Sequence, residues 1–183
     1  VLASLPREEF VPAAHRAIAY ADLEIPLGHG QRMLKPVVAG RALQALLPQD
    51  GEEVLEIGTG SGYVTACLGR LSREVHSLER IPELAQAAQQ RLRALGVGNA
   101  SVEHADAFSW DTSRRFDAIF VTAAVDEVPA RFLQWLRPGG RMFIVHGRAP
   151  VMEAVLVHRG DGDGVNADRT ESLFDTELDY MAG

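Results

Sequence analysis

The sequence has little cysteine and no long apolar run. Cys67 is the only cysteine among 183 residues, so no internal disulfide can form. Its neighbours in YVTACLGRL are mostly apolar, which favours a buried core residue over a reactive thiol. No stretch approaches the roughly 18 apolar residues of a membrane-spanning helix, and the first residues show no charged-then-apolar leader. We therefore expect a soluble, cytoplasmic protein without a disulfide framework.

Positive charge is also scarce. The chain carries 18 Lys and Arg against 25 Asp and Glu, for a net charge of −7. This balance argues against non-specific binding to nucleic acid or to an anionic membrane, because both need a basic face. No group of Cys and His residues has metal-ligand spacing, so we predict no metal site.

Strand-like and helix-like segments alternate from about residue 52 onward. Such alternation predicts parallel strands with right-handed crossovers, and hence a doubly wound, mostly parallel α/β sheet. The predicted strands are 52–58, 73–79, 100–106, 116–124 and 141–147, followed by a hairpin over 152–174, and the predicted helices are 62–71, 81–96 and 128–140.

The first 50 residues lack this alternation. Two segments are typical of helices, at 6–19 and 36–47, and the stretch IPLGHGQRMLKP (25–36) between them is typical of a loop. We expect a single domain of 1–183, made of an N-terminal helical cap (1–50), a cofactor-binding core (51–147) and a C-terminal hairpin (148–183).

The glycine motif VLEIGTGSGY follows the first strand of the core. It places Gly58, Gly60 and Gly62 at the start of a helix, but Tyr63 stands where the dinucleotide fingerprint needs its third glycine. Glu56 precedes the glycines and would repel a pyrophosphate, whereas it would suit a cationic amino group. S-adenosyl-L-methionine has an ammonium, a sulfonium and no phosphate, and its carboxylate suits a helix N-terminus. The motif therefore favours this cofactor over a dinucleotide.

Acidic residues end the next two strands. Glu79 is placed to accept hydrogen bonds from ribose hydroxyls, and Asp106 from an adenine amino group flanked by Ala107 and Phe108. Open α/β sheets bind ligands at the carboxyl ends of their strands. Any one such acid is more often a helix cap or a solvated residue, but acids at three successive strand ends favour an adenosyl site. The predicted cofactor contacts are Glu56, Gly58, Thr59, Gly60, Ser61, Gly62, Tyr63, Glu79, Arg80, Asp106, Ala107 and Thr122.

Several segments resemble one known family. VLEIGTGSGY, FDAIFVTAA, LRPGGRMFIVHG and the N-terminal REEFVPAAHRAIAYADLEIPLGHGQ are similar to the protein-L-isoaspartate O-methyltransferases, over about residues 6–147. The resemblance implies a seven-stranded Rossmann-like methyltransferase sheet and S-adenosyl-L-methionine as cofactor. It also implies methyl transfer to the free carboxylate of an isoaspartyl residue in a damaged protein, and thus a protein or peptide substrate.

The acceptor-side segment departs from the family pattern. The family usually continues as GQTIS.P, with the serine as the residue that contacts the isoaspartyl group. Here Gln31 and Pro36 are kept, but Arg32, Met33 and Leu34 replace the threonine, isoleucine and serine. The acceptor-side candidates are Gln31, Arg32, Leu34 and Lys35.

Other functions stay open at this point. The same fold could methylate a different acceptor, with Leu34 and Arg32 reshaping specificity, or the chain could bind the cofactor without turnover. Two nearby cations such as Arg32 and Lys35 are more often solvated surface than ligands. A nicotinamide oxidoreductase is disfavoured by Glu56 and Tyr63.

Overall fold

The computed structural model describes residues 1–161 and 167–181. The strands are β1 (Ile25–Gly28), β2 (Gln31–Met33), β3 (Glu53–Ile57), β4 (Glu74–Glu79), β5 (Ala100–His104), β6 (Phe116–Val125), β7 (Leu136–Arg148), β8 (Val151–His158) and β9 (Arg169–Asp175). The α-helices are α1 (Pro36–Leu46), α2 (Tyr63–Gly69), α3 (Pro82–Ala94) and α4 (Ala130–Gln134). No helix of the described ranges is long and apolar enough to cross a membrane.

The main sheet has seven strands in the order β5-β4-β3-β6-β7-β8-β9. The strands from β5 to β7 run parallel, while β8 and β9 are antiparallel additions at one edge. The central strands β3 and β6 are almost entirely buried, as expected for strands that are covered on both faces. The predicted mostly parallel seven-stranded α/β sheet is confirmed.

The N-terminal region contains less regular helix than we expected. The predicted helix at 6–19 is replaced by short 3₁₀ segments, Arg7–Phe10 and Ala13–Ile18, and a further one lies at Leu2–Ser4. Pro12 explains the break, because proline lacks an amide donor and restricts the residue before it. The second predicted helix is present as α1 and begins at Pro36, where a missing amide hydrogen has no effect on the hydrogen bonds of the helix.

The stretch predicted as a loop forms a small antiparallel hairpin of β1 and β2. Its turn places Gly28, His29 and Gly30 at positive φ, of 89°, 55° and 74°. Glycine adopts this backbone readily, and histidine does so only in tight turns. The hairpin, called the flap below, is therefore closed by a tight two-residue turn.

The predicted helix at 128–140 is also too long. The helix α4 ends at Gln134, and β7 already begins at Leu136. Pro138 and the glycines after it lie inside β7, where the pairing with β6 shifts between Phe116 and Ala118. The Pro-Gly-Gly sequence thus marks an irregularity in a strand rather than the end of a helix.

The predicted C-terminal hairpin corresponds to β8 and β9, and residues 162–166 of its expected turn lie outside the described ranges. After β9 the chain returns to the sheet: Tyr180 forms an isolated parallel bridge with Ala124 of β6. This tail (residues 178–181) thereby reaches the same end of the sheet as the glycine motif.

Candidate functional site

A cleft lies at the carboxyl ends of β3, β4 and β6. The strand order reverses direction at β3, which pairs with β4 on one side and β6 on the other. Open α/β sheets bind ligands at such a switch point. The hairpin β1–β2 and the tail also contribute side chains to the cleft, so its lining combines the beginning, middle and end of the chain.

Gly58 begins the loop after β3 and is hydrogen-bonded to β6. The Thr122 hydroxyl donates to the carbonyl oxygens of Gly58 at 2.7 Å and Ile57 at 3.0 Å. Gly58 has a φ of +93°, and a β-carbon there would lie 2.2 Å from Thr122 Oγ1. Only glycine fits, because both the backbone conformation and the available space exclude a side chain.

The other glycines of the motif allow neighbouring elements to approach closely. A β-carbon at Gly60 would lie 3.3 Å from Leu27 of the hairpin, and one at Gly62 would lie 3.3 Å from the Ala88 side chain of α3. Arg91 of α3 donates to the Ser61 carbonyl oxygen at 2.6 Å. The loop is therefore held between the hairpin above and α3 beside it.

Glu79 is the last residue of β4 and is only 5% exposed. Its Oε2 accepts from the Gly60 amide at 2.8 Å and its Oε1 from the Ile81 amide at 3.0 Å. Each carboxylate oxygen can accept a further hydrogen bond. Glu79 thus holds the glycine loop, and its carboxylate oxygens can still accept hydrogen bonds from a ligand in the cleft.

Asp106 also lines the cleft, two residues beyond the end of β5. Its Oδ1 accepts from the Phe108 amide at 2.9 Å, a local turn that fixes the side chain. Apolar side chains of Leu78, Ala105 and Ala107 line the same part of the cleft. This part of the cleft therefore combines a fixed hydrogen-bond acceptor, the Asp106 carboxylate, with apolar walls.

Glu56 lies beneath the glycine loop and is fully buried. Its Oε2 accepts from the hydroxyls of Thr65 and Ser77, each at 2.5 Å, and Thr59 Oγ1 lies 2.5 Å from Ser77 Oγ. Glu56 Oε1 is buried without a hydrogen-bond partner in the described part of the chain. Burial raises the pKa of Glu56 to about 8, since removal from water disfavours the charged form.

Most predicted cofactor residues meet at the cleft. All of them line it except Glu56, which is buried beneath the loop, and Gly62, which belongs to the loop but faces α3. The structure thus brings together the ends of three strands, as the sequence predicted, but places the Glu56 carboxylate away from the cleft surface.

The acceptor-side candidates are divided. Gln31, Arg32 and Leu34 line the cleft, and Lys35 does not. Leu34 is 8% exposed and belongs to the main hydrophobic core. Arg32 is exposed and lies 3.2 Å from Glu24 and 3.7 Å from Asp179 of the tail.

Several cleft residues were missed by sequence reasoning, because they come from segments far apart in the chain. The missed residues with polar side chains are Arg7, Glu24 and Asp179, and the missed apolar ones include Leu27, Leu178 and Met181. Arg7 stands in REEFVP, a segment already singled out by its resemblance, which was a usable signal. No group of three or more His, Cys, Asp or Glu in the described residues could hold a metal ion.

Comparisons with known proteins agree with this geometry. The model of the protein-L-isoaspartate(D-aspartate) O-methyltransferase family matches residues 1–174. The match extends beyond residue 147, where the resemblance noted in the sequence ended.

Individual proteins show the same relation. The chain is 42% identical over 184 residues to a protein-L-isoaspartate O-methyltransferase of Myxococcus xanthus, covering 100% of this chain and 86% of that protein. It is 41% identical to one of Vibrio parahaemolyticus, covering 86% of this chain and 76% of that protein. A crystal structure of a candidate protein-L-isoaspartate O-methyltransferase from Plasmodium falciparum, in complex with S-adenosyl-L-homocysteine, shares the fold. That similarity has a TM-score of 0.82 at 21% identity over 96% of this chain and 85% of the other. On the family match and the identity to these relatives, the chain belongs to the protein-L-isoaspartate(D-aspartate) O-methyltransferase family.

Proposed function

We propose that this chain transfers a methyl group from S-adenosyl-L-methionine to the free carboxylate of an isoaspartyl residue in a damaged protein. The observation that carries the proposal is the cleft at the switch point, where Glu79 holds the glycine loop and Asp106 lies at the next strand end. Family membership supports the reaction, and the acids of the cleft support an adenosyl cofactor.

The residues present fit this cofactor. Glu79 has acceptor capacity for ribose hydroxyls, and Asp106 for an adenine amino group between Ala105 and Ala107. Glu56 Oε1 is a buried carboxyl oxygen without a partner among the described residues, and a nearby ammonium group would favour the charged form of this carboxyl. Because Glu56 does not line the cleft, we propose that it acts on the ammonium indirectly, through a bridging water or a small shift of the loop.

The cofactor supplies an activated methyl group on a sulfonium, and the acceptor carboxylate is already a nucleophile near neutral pH. The protein therefore needs no strong general base. Its part is to align the carboxylate oxygen with the methyl carbon and sulfur and to exclude water. Orientation of this kind can supply about 7–11 kcal/mol in favourable cases. The flap and the tail, which line the cleft through Leu27 and Leu178, are suited to both tasks.

The acceptor end of the cleft differs from the family pattern in chemistry. Leu34 offers no hydrogen bond, and its side chain contributes to the core. Gln31 and Arg32 are the nearby polar candidates, but Arg32 already pairs with Glu24 and Asp179. These residues support a more apolar pocket for the methyl acceptor, with Gln31 as an acceptor-side candidate that lines it. Lys35 is not included, because it does not line the cleft.

We also propose a cytoplasmic location. The single cysteine, Cys67, is fully buried and free, which is usual in proteins of reducing compartments.

The test is a methyl-transfer assay with an isoaspartyl peptide and labelled cofactor. We expect base-labile methyl ester from the isoaspartyl peptide and none from the matched aspartyl peptide. Transfer only to other carboxylates would favour the same fold with a different acceptor. Cofactor binding without transfer to any acceptor would favour a non-catalytic binding protein.

Leu34→Ser tests the altered acceptor segment in the same assay. We expect a several-fold lower KM for the isoaspartyl peptide, since a hydroxyl is restored at the acceptor end. We also expect a stability loss of about 2–4 kcal/mol, because a buried leucine is removed. Leu47→Ser is the matched control, since Leu47 is 62% exposed and does not line the cleft. An unchanged or raised KM in Leu34→Ser, with the fold intact, would exclude this role for position 34.

A further inference from the structure

Arg7 is a buried cation without an anionic partner. It is 2% exposed, and no Asp or Glu of the described residues lies within ion-pair distance of it. Burying a charge is costly unless the charge is paired. Burial lowers the pKa of Arg7, in keeping with this surrounding. Such an arginine is unusual in a protein core, and it lines the cleft.

Two of its nitrogens fix the guanidinium against the chain. Nε donates to the Ala19 carbonyl oxygen at 2.8 Å, and Nη2 donates to the Leu34 carbonyl oxygen at 2.7 Å. The guanidinium also lies over the Tyr63 ring, with its central carbon 4.6 Å from the ring centre. Arg7 therefore touches both the acceptor segment, through Leu34, and the end of the glycine motif, through Tyr63.

The third nitrogen, Nη1, is buried and has no hydrogen-bond partner in the described part of the chain. A buried donor that stays unpaired loses its hydration without compensation. None of the acids that line the cleft lies within ion-pair distance of Arg7: Glu24 and Asp179 pair with Arg32, while Glu79 and Asp106 accept backbone amides. An anionic ligand in the cleft is therefore the natural partner for Nη1.

We propose that Arg7 binds the carboxylate of the methyl acceptor through Nη1. This inference rests on the proposed function, since it assigns a partner to the same cleft. The acceptor segment has lost the small hydroxyl expected at position 34, while Arg7 is bonded to the backbone of that same residue. An arginine–carboxylate hydrogen bond is charge-assisted and stronger than a hydroxyl contact. Arg7 could thereby bind the carboxylate of the methyl acceptor even though Leu34 has no hydroxyl to do so.

Equilibrium binding of two peptides tests the proposal without requiring turnover. One peptide carries isoaspartate, and the other carries its uncharged amide, isoasparagine, at the same position. Both are titrated into the protein saturated with S-adenosyl-L-homocysteine. We expect the wild type to prefer the isoaspartyl peptide by roughly tenfold or more, the range of a charge-assisted bond. In Arg7→Met, again saturated with S-adenosyl-L-homocysteine, we expect this preference to fall to about twofold or less.

The comparison of peptides separates charge recognition from a structural role. If Arg7 has only a structural role, Arg7→Met should weaken the binding of both peptides alike and leave the ratio of their affinities unchanged. That result would overturn the proposal. Arg16→Met is the matched control, because Arg16 is exposed, pairs with Glu9 and does not line the cleft. Absence of any preference in the wild type would also overturn it. Loss of methyl transfer alone, with the preference present, would count against the proposed function and leave Arg7 supported.

A measurement on the wild type removes the dependence on variant folding. With arginine labelled by nitrogen-15, the resonance of the exchange-protected buried guanidinium should shift on addition of the isoaspartyl peptide. It should not shift with the isoasparagine peptide. Arg7→Lys keeps the cation but loses the fork of donors, and we expect it to retain part of the preference. Equal shifts with both peptides would contradict the proposal whatever the variants do.

Discussion

Glu79 joins the cofactor loop to the end of β4. It accepts hydrogen bonds from the Gly60 and Ile81 amides and is 5% exposed. In the proposed complex it also accepts from the ribose. One side chain therefore sets the shape of the loop and contributes to the affinity for the ligand.

Glu79→Gln should weaken cofactor binding by about 1–3 kcal/mol, the usual scale for losing hydrogen bonds to a charged acceptor. Calorimetric titration with S-adenosyl-L-homocysteine measures this change, and Glu83→Gln, an exposed acid in the first turn of α3, is the control. Unchanged affinity in Glu79→Gln would show that Glu79 has no part in binding.

Glu56 links the stability of the protein to pH. Its pKa is raised from 4.5 to about 8 by burial, so between these values the native state holds a proton that the unfolded chain has released. The contribution of Glu56 to the free energy of unfolding is therefore fully present below about pH 4.5, and it is lost as the pH rises through about 8.

Glu56→Gln should therefore flatten the pH dependence of stability in this window. The wild type should lose up to about 1.4 kcal/mol per pH unit from this proton. Urea unfolding at about pH 5.5, 6.5, 7.5 and 8.5, which span this window, measures the slope. Glu83→Gln should keep the wild-type slope, and an equal slope in wild type and Glu56→Gln would contradict the assignment.

Sequence reasoning at the residue scale succeeded where position along a strand determines position in space. Glu79 and Asp106 line the cleft because parallel strands end at a common edge. Arg7 and Asp179 could not be placed in this way, since they reach the cleft from outside the core strands. The side chain of Glu56 also differs from expectation, because residue position does not reveal whether a carboxylate turns toward the cleft or beneath the loop.

The glycine loop works as an element through its fit between β6, α3 and the flap. Gly58→Ala should disrupt it, because the added carbon would lie 2.2 Å from Thr122 Oγ1. We expect a loss of at least about 2–4 kcal/mol in stability, from backbone strain plus overpacking, and a marked loss of cofactor affinity. Thermal unfolding and calorimetry measure both.

Gly96→Ala is the matched control for Gly58→Ala. Gly96 also has a positive φ, of +70°, but a β-carbon there meets nothing within 4 Å. We expect it to lose only about 1–2 kcal/mol from strain and to bind cofactor normally. Equal behaviour of the two variants would show that the contact with Thr122 is unimportant.

Elements with strong periodicity were predicted well, and irregular ones were not. The core strands and the helix α3 follow from alternation and from an apolar stripe that ends near Gly96. The β1–β2 hairpin was predicted as a loop, because its strands are short and its two-residue turn, His29-Gly30, lacks the usual Asn-Gly or Asp-Gly sequence. The Pro-Gly-Gly run at 138–140 was read as a helix end, since local sequence does not show the partner strand that accommodates it.

At the scale of the whole molecule, one of the two buried hydrophobic clusters draws on all parts of the chain. Leu5 of the N-terminal region, Val54 of β3, Ala154 of β8 and Leu178 of the tail belong to the same buried cluster. We propose on this ground that the cap (1–50), core (51–147) and C-terminal region (148–183) form one domain.

Leu178→Ala tests whether the tail belongs to this unit. Leu178 is 5% exposed and also lines the cleft. We expect a stability loss of about 2–4 kcal/mol and a several-fold weaker affinity for S-adenosyl-L-homocysteine. Leu47→Ala, at a site 62% exposed, should change neither quantity appreciably. A loss of affinity without a loss of stability would show that the tail is a separate segment that contacts the ligand and not part of the core.

The tail also has a consequence for the order in which the site is completed during synthesis. The glycine loop and the strand-end acids lie within residues 56–106, whereas Leu178, Asp179 and Met181 close one wall of the same cleft. On the ribosome, the binding residues thus emerge long before the wall that covers them. A nascent chain that has not yet been extended through Met181 has the glycine loop but an incomplete cleft. Tight retention of the cofactor should therefore arise only when the tail has folded back onto β6.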